Sequence, residues 1–126
     1  MDVFMTKWFA RFGRREGMAG KSLLDAIARA EQGLIDADLG GGLIKQRVAR
    51  NGQGRSGGYR VIVAYRERKR AVFLFGFAKN EKENISGDEL IFLRRLAENW
   101  LFASAAKLRE EIEAGNLKRI EDDEED

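Results

Sequence analysis

The spacing of apolar residues changes several times along this chain, and each change marks an element. Residues Asp2 to Met5 form a short apolar run that predicts a first strand. Thr6 follows as an N-cap, and Trp8, Phe9 and Phe12 then fall on one face of a helix punctuated by Gly13 and Gly17. A second helix is expected from about Ser22, where Ser22 and Asp25 imitate a capping box and Leu23, Leu24, Ile27, Ala30 and Leu34 recur at helical spacing. The middle third changes period. Leu43 to Arg50 reads as a strand, Asn51 to Gly58 as a glycine-rich turn, and Tyr59 to Tyr65 as a second strand rich in β-branched residues. The charged cluster Arg66 to Arg70 makes the next turn, and Ala71 to Ala78 reads as a third, largely buried strand.

After the loop Lys79 to Ile85, Ser86 and Glu89 fit the S-x-x-E capping box. Leu90, Leu93, Ala97, Trp100, Leu101, Ser104 and Leu108 then form a stripe that predicts one long helix ending at Gly115-Asn116, spanning ~40 Å at ~1.5 Å per residue. The expected fold is α+β: a small antiparallel or mixed sheet of three to four strands, two N-terminal helices and a long C-terminal helix. One domain over residues 1–116 is expected, followed by an acidic, disordered tail over 117–126.

Composition narrows the chemistry. The chain has no cysteine and no histidine, which removes disulfides, thiolate zinc sites, the thiol nucleophile and the commonest acid/base. No cofactor or metal is expected, and any catalysis must come from arginine, lysine, tyrosine or carboxylates. No stretch reaches the ~20 apolar residues of a spanning helix, and no secretory signal is recognised, so a cytoplasmic protein without membrane contact is expected. The net charge of +2 hides a strong asymmetry: residues 1–80 carry 16 Lys+Arg against 7 Asp+Glu, and residues 81–126 carry 7 against 14. A basic body of this kind suits a polyanion, because each neutralised phosphate releases condensed counterions.

Two nucleotide motifs are only imitated. Gly20-Lys21-Ser22 lacks the glycine a P-loop requires five positions earlier, where Arg15 stands, and the glycines of 52–57 precede a strand rather than the helix that would hold a pyrophosphate. Taken alone, that glycine segment is either a flexible hairpin loop or an anion-binding nest. Its company favours the second reading. Lys45, Arg47 and Arg50 lead into it, Arg55 lies within it and Arg60 leaves it. Alternation puts Lys45 and Arg47 on one face of their strand and Arg60 on a face with Ile62 and Ala64, an unusual place for a merely solubilising charge. Arg60 is therefore the leading candidate for a functional residue. Lys79, at the end of the apolar third strand, reads either as a charge at the mouth of a cleft or as a strand terminator.

The segment GLIKQRVARNGQGRSGGYRVIVAYRERKRAVFLFGFAKNEKENIS resembles the RelE/HigB family of toxins from toxin-antitoxin systems, in the order glycine-rich loop, SGGYRVIV, charged turn, apolar strand, AKNE and capped helix. The resemblance covers about residues 1–100. It implies a metal-independent endoribonuclease that cuts messenger RNA, usually on the ribosome, and so inhibits translation. It also implies neutralisation by a cognate antitoxin, often of helix-turn-helix type, in a complex able to bind operator DNA. Carried over by position, Arg60 and Lys79 become the catalytic cations, and Lys45, Arg47, Arg50 and Arg55 the RNA-binding ones. Some relatives place a catalytic tyrosine beyond the third strand, where this sequence has Asn80, Asn84 and Ser86, so the resemblance assigns no general base. Two rivals stand beside this reading: a ParE-like toxin that blocks DNA gyrase without chemistry, and a non-catalytic RNA-binding module.

Overall fold

A computed structural model describes residues 1–50, 54–78 and 85–121, with side chains for all of these except 50 and 54–57. Among the described residues, six strands and four helices follow in the order β1 (Asp2–Thr6), α1 (Lys7–Glu16), α2 (Gly20–Glu31), β2 (Ala37–Gly40), β3 (Leu43–Arg50), β4 (Gly54–Arg66), β5 (Arg70–Ala78), α3 (Gly87–Leu101), α4 (Ala105–Glu113) and β6 (Leu117–Arg119). The strands make one mixed sheet ordered β2-β3-β4-β5-β1-β6, in which β1 runs parallel to β5 and every other pair is antiparallel.

The sheet has a core on each face. Phe9, Phe12, Leu23, Ala26, Ile27 and Ala30 from α1 and α2 pack on Val48, Tyr59, Val61, Val63 and Phe73 on one side. On the other, Leu93, Ala97 and Leu101 of α3 and Leu108 of α4 join Leu43, Ile62, Ala64, Val72 and Phe77. A bulge between β4 and β5 pairs Ile62 with Phe75 but Val63 with Phe73, leaving Leu74 extra. The bulge lets consecutive residues Leu74 and Phe75 both join the α3 side, and because β5 is buried on both faces the run from Ala71 to Ala78 reads as continuously apolar. Against that strand α1 approaches so closely that a Cβ on Gly76 would stand 2.6 Å from Cε2 of Phe12.

The α+β class, the N-terminal helices, the meander of β3, β4 and β5, and the caps at Thr6 and Ser86 stand as expected. Four expectations are corrected. The sheet has six strands rather than three to four, because the short β2 and β6 take up its two edges. The long C-terminal helix is two helices: Ser104, assigned above to an apolar stripe, instead caps α4 by accepting from Lys107 N at 3.0 Å. α2 begins at Gly20 with no side-chain cap, not at Ser22, and ends before the exposed Leu34. Finally, the tail boundary at 117 moves. Leu117 to Arg119 pair with β1, and Ile120 is buried with its N–H on Val3 O at 2.8 Å.

Candidate nucleic-acid interface

The hairpin of β3 and β4 sets the geometry of the basic group. Its register pairs Lys45 with Ile62, Arg47 with Arg60 and Val48 with Tyr59. Ile62 belongs to the α3-side core, so strand alternation puts Lys45, Arg47 and Arg60 on that same face, near the end of the sheet away from the β4–β5 turn. Two arginines directly opposite each other repel, and like charges in such a pair destabilise a sheet. One carboxylate relieves part of this. Asp36, just before β2, meets the Arg47 guanidinium at 3.1 Å, accepts from Arg47 N at 2.7 Å, and also lies 3.5 Å from Arg29, whose Nη2 donates to Arg47 O. Burial pushes the Asp36 carboxyl up, but the hydrogen bonds and positive charges of Arg47 and Arg29 outweigh it and hold the group below its ordinary value.

The position of Asp36 is itself fixed from the core. Gln46 is fully buried between Lys45 and Arg47; its Oε1 accepts from Asp36 N at 2.7 Å, and its Nε2 donates to Ala26 O at 2.9 Å and Leu34 O at 3.2 Å. A buried amide with donor and acceptor both engaged locks the α2–β2 connection onto β3. Arg60 is half-buried between Arg47 and its β5 neighbour Phe77. Both tyrosines turn to the opposite face: Tyr59 donates to Glu16 Oε1 at 3.0 Å, and Tyr65 donates to Glu31. That second bond, with the nearby Arg68 N–H and guanidinium, lowers the Glu31 carboxyl, while burial followed by the Glu31 bond raises the Tyr65 hydroxyl.

Three of the expected RNA-site residues, Lys45, Arg47 and Arg60, are thus brought together on one face. Arg50 pairs with Gly54 where the hairpin closes, and Arg55 follows in β4; their side chains lie outside the described residues. Lys79 falls outside the described residues altogether. Among the described residues no cluster of His, Cys, Asp or Glu is suited to a metal ion.

A family model described as the RelE toxin of the RelE / RelB toxin-antitoxin system matches residues 1–120. The chain belongs to the RelE toxin family. Among curated proteins, none matches the sequence. As a RelE-family toxin the protein is the toxic component of a two-part system, and membership implies a cognate antitoxin as its partner. No helix among the described residues is long and apolar enough to cross a membrane.

Sequence reasoning missed two surface features of this toxin. A groove of about 520 Å³ between α1, α3 and β5 is lined by Trp8, Phe75, Phe92, Leu96 and Trp100, with Trp8 and Phe92 exposed. At the other end of the β4 face, Arg66 lies over the exposed ring of Phe102. Trp8 shares the helical spacing of Phe9 and Phe12 and reads as core, while Phe92 and Phe102 stand off the stripe that begins at Leu90; only tertiary packing shows the surfaces these three form.

Proposed function

We propose that this RelE-family toxin is a metal-independent endoribonuclease that cuts messenger RNA and thereby inhibits translation. The observation that carries the reading is the register pair Arg47–Arg60 with Lys45 beside it, three cations on one sheet face at the closing end of a glycine-rich hairpin. RNA supplies its own nucleophile. The 2′-oxygen attacks phosphorus and loses its proton, the P–O5′ bond breaks, and the 5′-oxygen takes up a proton, leaving a 2′,3′-cyclic phosphate and a 5′-hydroxyl. The protein must hold that geometry in line and stabilise the charge that grows on the non-bridging oxygens. The Arg60 guanidinium suits the second task, since its planar fork matches two phosphate oxygens and charge-directed stabilisation is the largest single catalytic effect. Lys79 is assigned the role of second cation. Lys45, Arg47, Arg50 and Arg55 grip flanking phosphates, and alignment on the ribosome supplies a positional advantage that can reach ~7 to 11 kcal/mol.

Primer extension on transcripts after induction tests this directly. Discrete cuts with wild type and none with Arg60→Ala, at unchanged far-UV circular dichroism, are expected. Uncut transcripts with arrested growth would favour the gyrase-blocking alternative. RNA bound but intact on ribosomes would favour the non-catalytic module.

The apolar groove of Trp8, Phe92 and Trp100 is assigned to the antitoxin. An exposed apolar surface of this kind marks an interaction site, and Trp8 and Phe92 stand exposed along it. Phe92→Lys should leave toxicity intact and reduce neutralisation by co-expressed antitoxin; full neutralisation of that variant would remove the assignment.

A further inference from the structure

The far end of the β4 face carries a second cationic surface, built differently from the first. Strand alternation puts Arg60, Ile62, Ala64 and Arg66 on one face, so Arg66 lies six residues and roughly 20 Å from Arg60, beside the C-terminal end of α3. Arg66 pairs directly with Arg70 of β5, again two arginines face to face. Here the conflict is resolved by sending them to different partners. The Arg70 guanidinium turns to the end of α3 and donates from Nη1 to Trp100 O at 2.8 Å and Ala103 O at 2.9 Å. α3 has no basic residue in its last turn, so Arg70 supplies from the sheet the cation that the negative end of the helix dipole favours. Arg66 turns outward and lies over the ring of Phe102, 5.4 Å from its centroid.

That clamp fixes the α3–α4 bend and with it Phe102, which is 69% exposed, the highest value among the large apolar side chains. The opposite wall is equally built. Gly42, at φ 83, comes so close that a Cβ there would stand 2.8 Å from Leu101 Cδ1; Tyr65 N donates to Gly42 O at 2.7 Å, and Arg94 Nε to Leu39 O at 2.9 Å. The result is a groove of about 490 Å³ whose charged lining is Arg66, Arg94, Arg95 and Glu98. Among the described residues none of the three arginines is in an ion pair. An apolar docking patch would not be ringed by guanidinium groups, and a merely solubilising patch would not hold an aromatic ring out in water on a pinned turn.

We infer that this groove is an accessory RNA-binding platform, in which an unpaired base stacks on Phe102 and Arg66 while Arg94 and Arg95 meet the adjoining phosphates. Bases stack on aromatic side chains and on arginine planes, and cations along a groove track the backbone. The inference rests on the reading of the toxin as an RNA-binding protein, but not on its cleavage chemistry. The RNA is either the transcript itself or a ribosomal segment beside it.

The test measures full-length toxin binding to a fluorescent 12-nucleotide single-stranded RNA and, separately, to salt-washed ribosomes. Phe102→Ala, Phe102→Trp, Arg66→Gln, Arg95→Gln and Arg60→Ala are compared with wild type, and each fold is checked by thermal melting. Phe102→Ala should weaken binding by roughly 5-fold or more, the effect of one lost stack, and Phe102→Trp should restore it. Arg66→Gln, which removes half of the stacking surface, should weaken binding in the same direction, and Arg95→Gln, which removes a phosphate contact, should reduce the slope of log affinity against log salt by about 0.7. Loss confined to the oligonucleotide names the transcript as ligand, and loss confined to ribosomes names ribosomal RNA; either supports the platform. Wild-type affinity of Phe102→Ala and Arg66→Gln in both arms, with Arg60→Ala weakened, would overturn the platform and leave the cleavage site standing. Failure of the wild type to bind either probe would remove both. Poly-glutamate binding as tightly as RNA, and lost in the same variants, would also overturn it and make the groove a site for an acidic protein segment.

Discussion

Gln46 shows how much of the cationic group depends on one buried side chain. It touches no solvent, yet its amide holds Asp36 N, and Asp36 holds both the backbone and the guanidinium of Arg47. Gln46→Leu keeps much of the volume but strands one donor and two carbonyls, each costing about 1 to 3 kcal/mol when buried unpaired. A stability loss of about 3 kcal/mol in urea denaturation is expected, with weaker RNA affinity as Arg47 loses its anchor. Asp36 also gives a pH signature. Its folded carboxyl lies below its ordinary value of 3.8, so its contribution is present above that value and lost as pH falls through the lower folded value. Glu31, lowered from 4.5, acts in the same direction. Wild-type stability should therefore fall in acid below about pH 4 to 5, the ordinary carboxyl range. Asp36→Asn should be less stable at pH 7 and fall less steeply, the two curves converging in acid. Parallel curves would show that Asp36 makes no net contribution. The sequence pointed to Arg47 by its neighbours and by alternation, but no pattern could show that a glutamine and an aspartate from separate connections hold it in place.

Elements were legible where local signals agreed and misread where tertiary contacts chose among them. β3, β4 and β5 combine period-two patterning with β-branched and aromatic residues; β3 and β5 stand within a residue of where the sequence puts them, while β4 starts at Gly54, inside the stretch Asn51 to Gly58 read as a turn, because its glycines carry no strand signal. β2 is Ala-Asp-Leu-Gly, a poor strand former that exists because β3 offers it an edge. The stripe from Leu90 to Leu108 kept helical spacing through a break, because Leu101 and Leu108 face the same core from two helices. Ser104 signals that break only as an N-cap, a role a serine inside a stripe does not advertise. Close approach between elements is equally hidden. Gly76 in β5 has a sterically ordinary role in sequence, but its missing Cβ is what lets the Phe12 ring of α1 lie on the strand. Gly76→Ala should cost about 1 to 3 kcal/mol through overpacking. Phe12→Leu in the same chain should recover part of that loss, so the double mutant is less destabilised than the sum of the two singles. Additivity in denaturant melts would show that the two sites do not press on each other.

At the scale of the whole molecule, chain order and sheet order are folded against each other, so that the first strand, β1, sits between β5 and the last strand, β6. The acidic run at the C-terminus drew attention to solvation and hid the segment Leu117 to Ile120 before it, whose alternation is too short to register as a strand. Leu117 is buried on the α3 side of the sheet and Ile120 on the α1–α2 side, so this short segment closes both cores. Arg119 adds an ion pair to Asp2 at 2.8 Å and lies over Phe4, 4.8 Å from the ring centroid. Two truncations separate this structural part from the charges that follow it. Chains ending at Asn116 and at Glu121 both lack the last five residues, so whatever those contribute cancels in the comparison. The shorter one loses two buried aliphatic side chains, worth about 1.5 to 3 kcal/mol each, and exposes the edge of β1. Its Tm should be lower by roughly 10 to 20 °C, since 1 kcal/mol moves Tm by about 2 to 8 °C across domains of 60 to 250 residues. Equal melting temperatures would mean that β6 is dispensable to the sheet. A large difference makes the β1–β6 pairing a fixed part of the toxin domain, whose boundary then lies beyond Ile120 and not at Asn116.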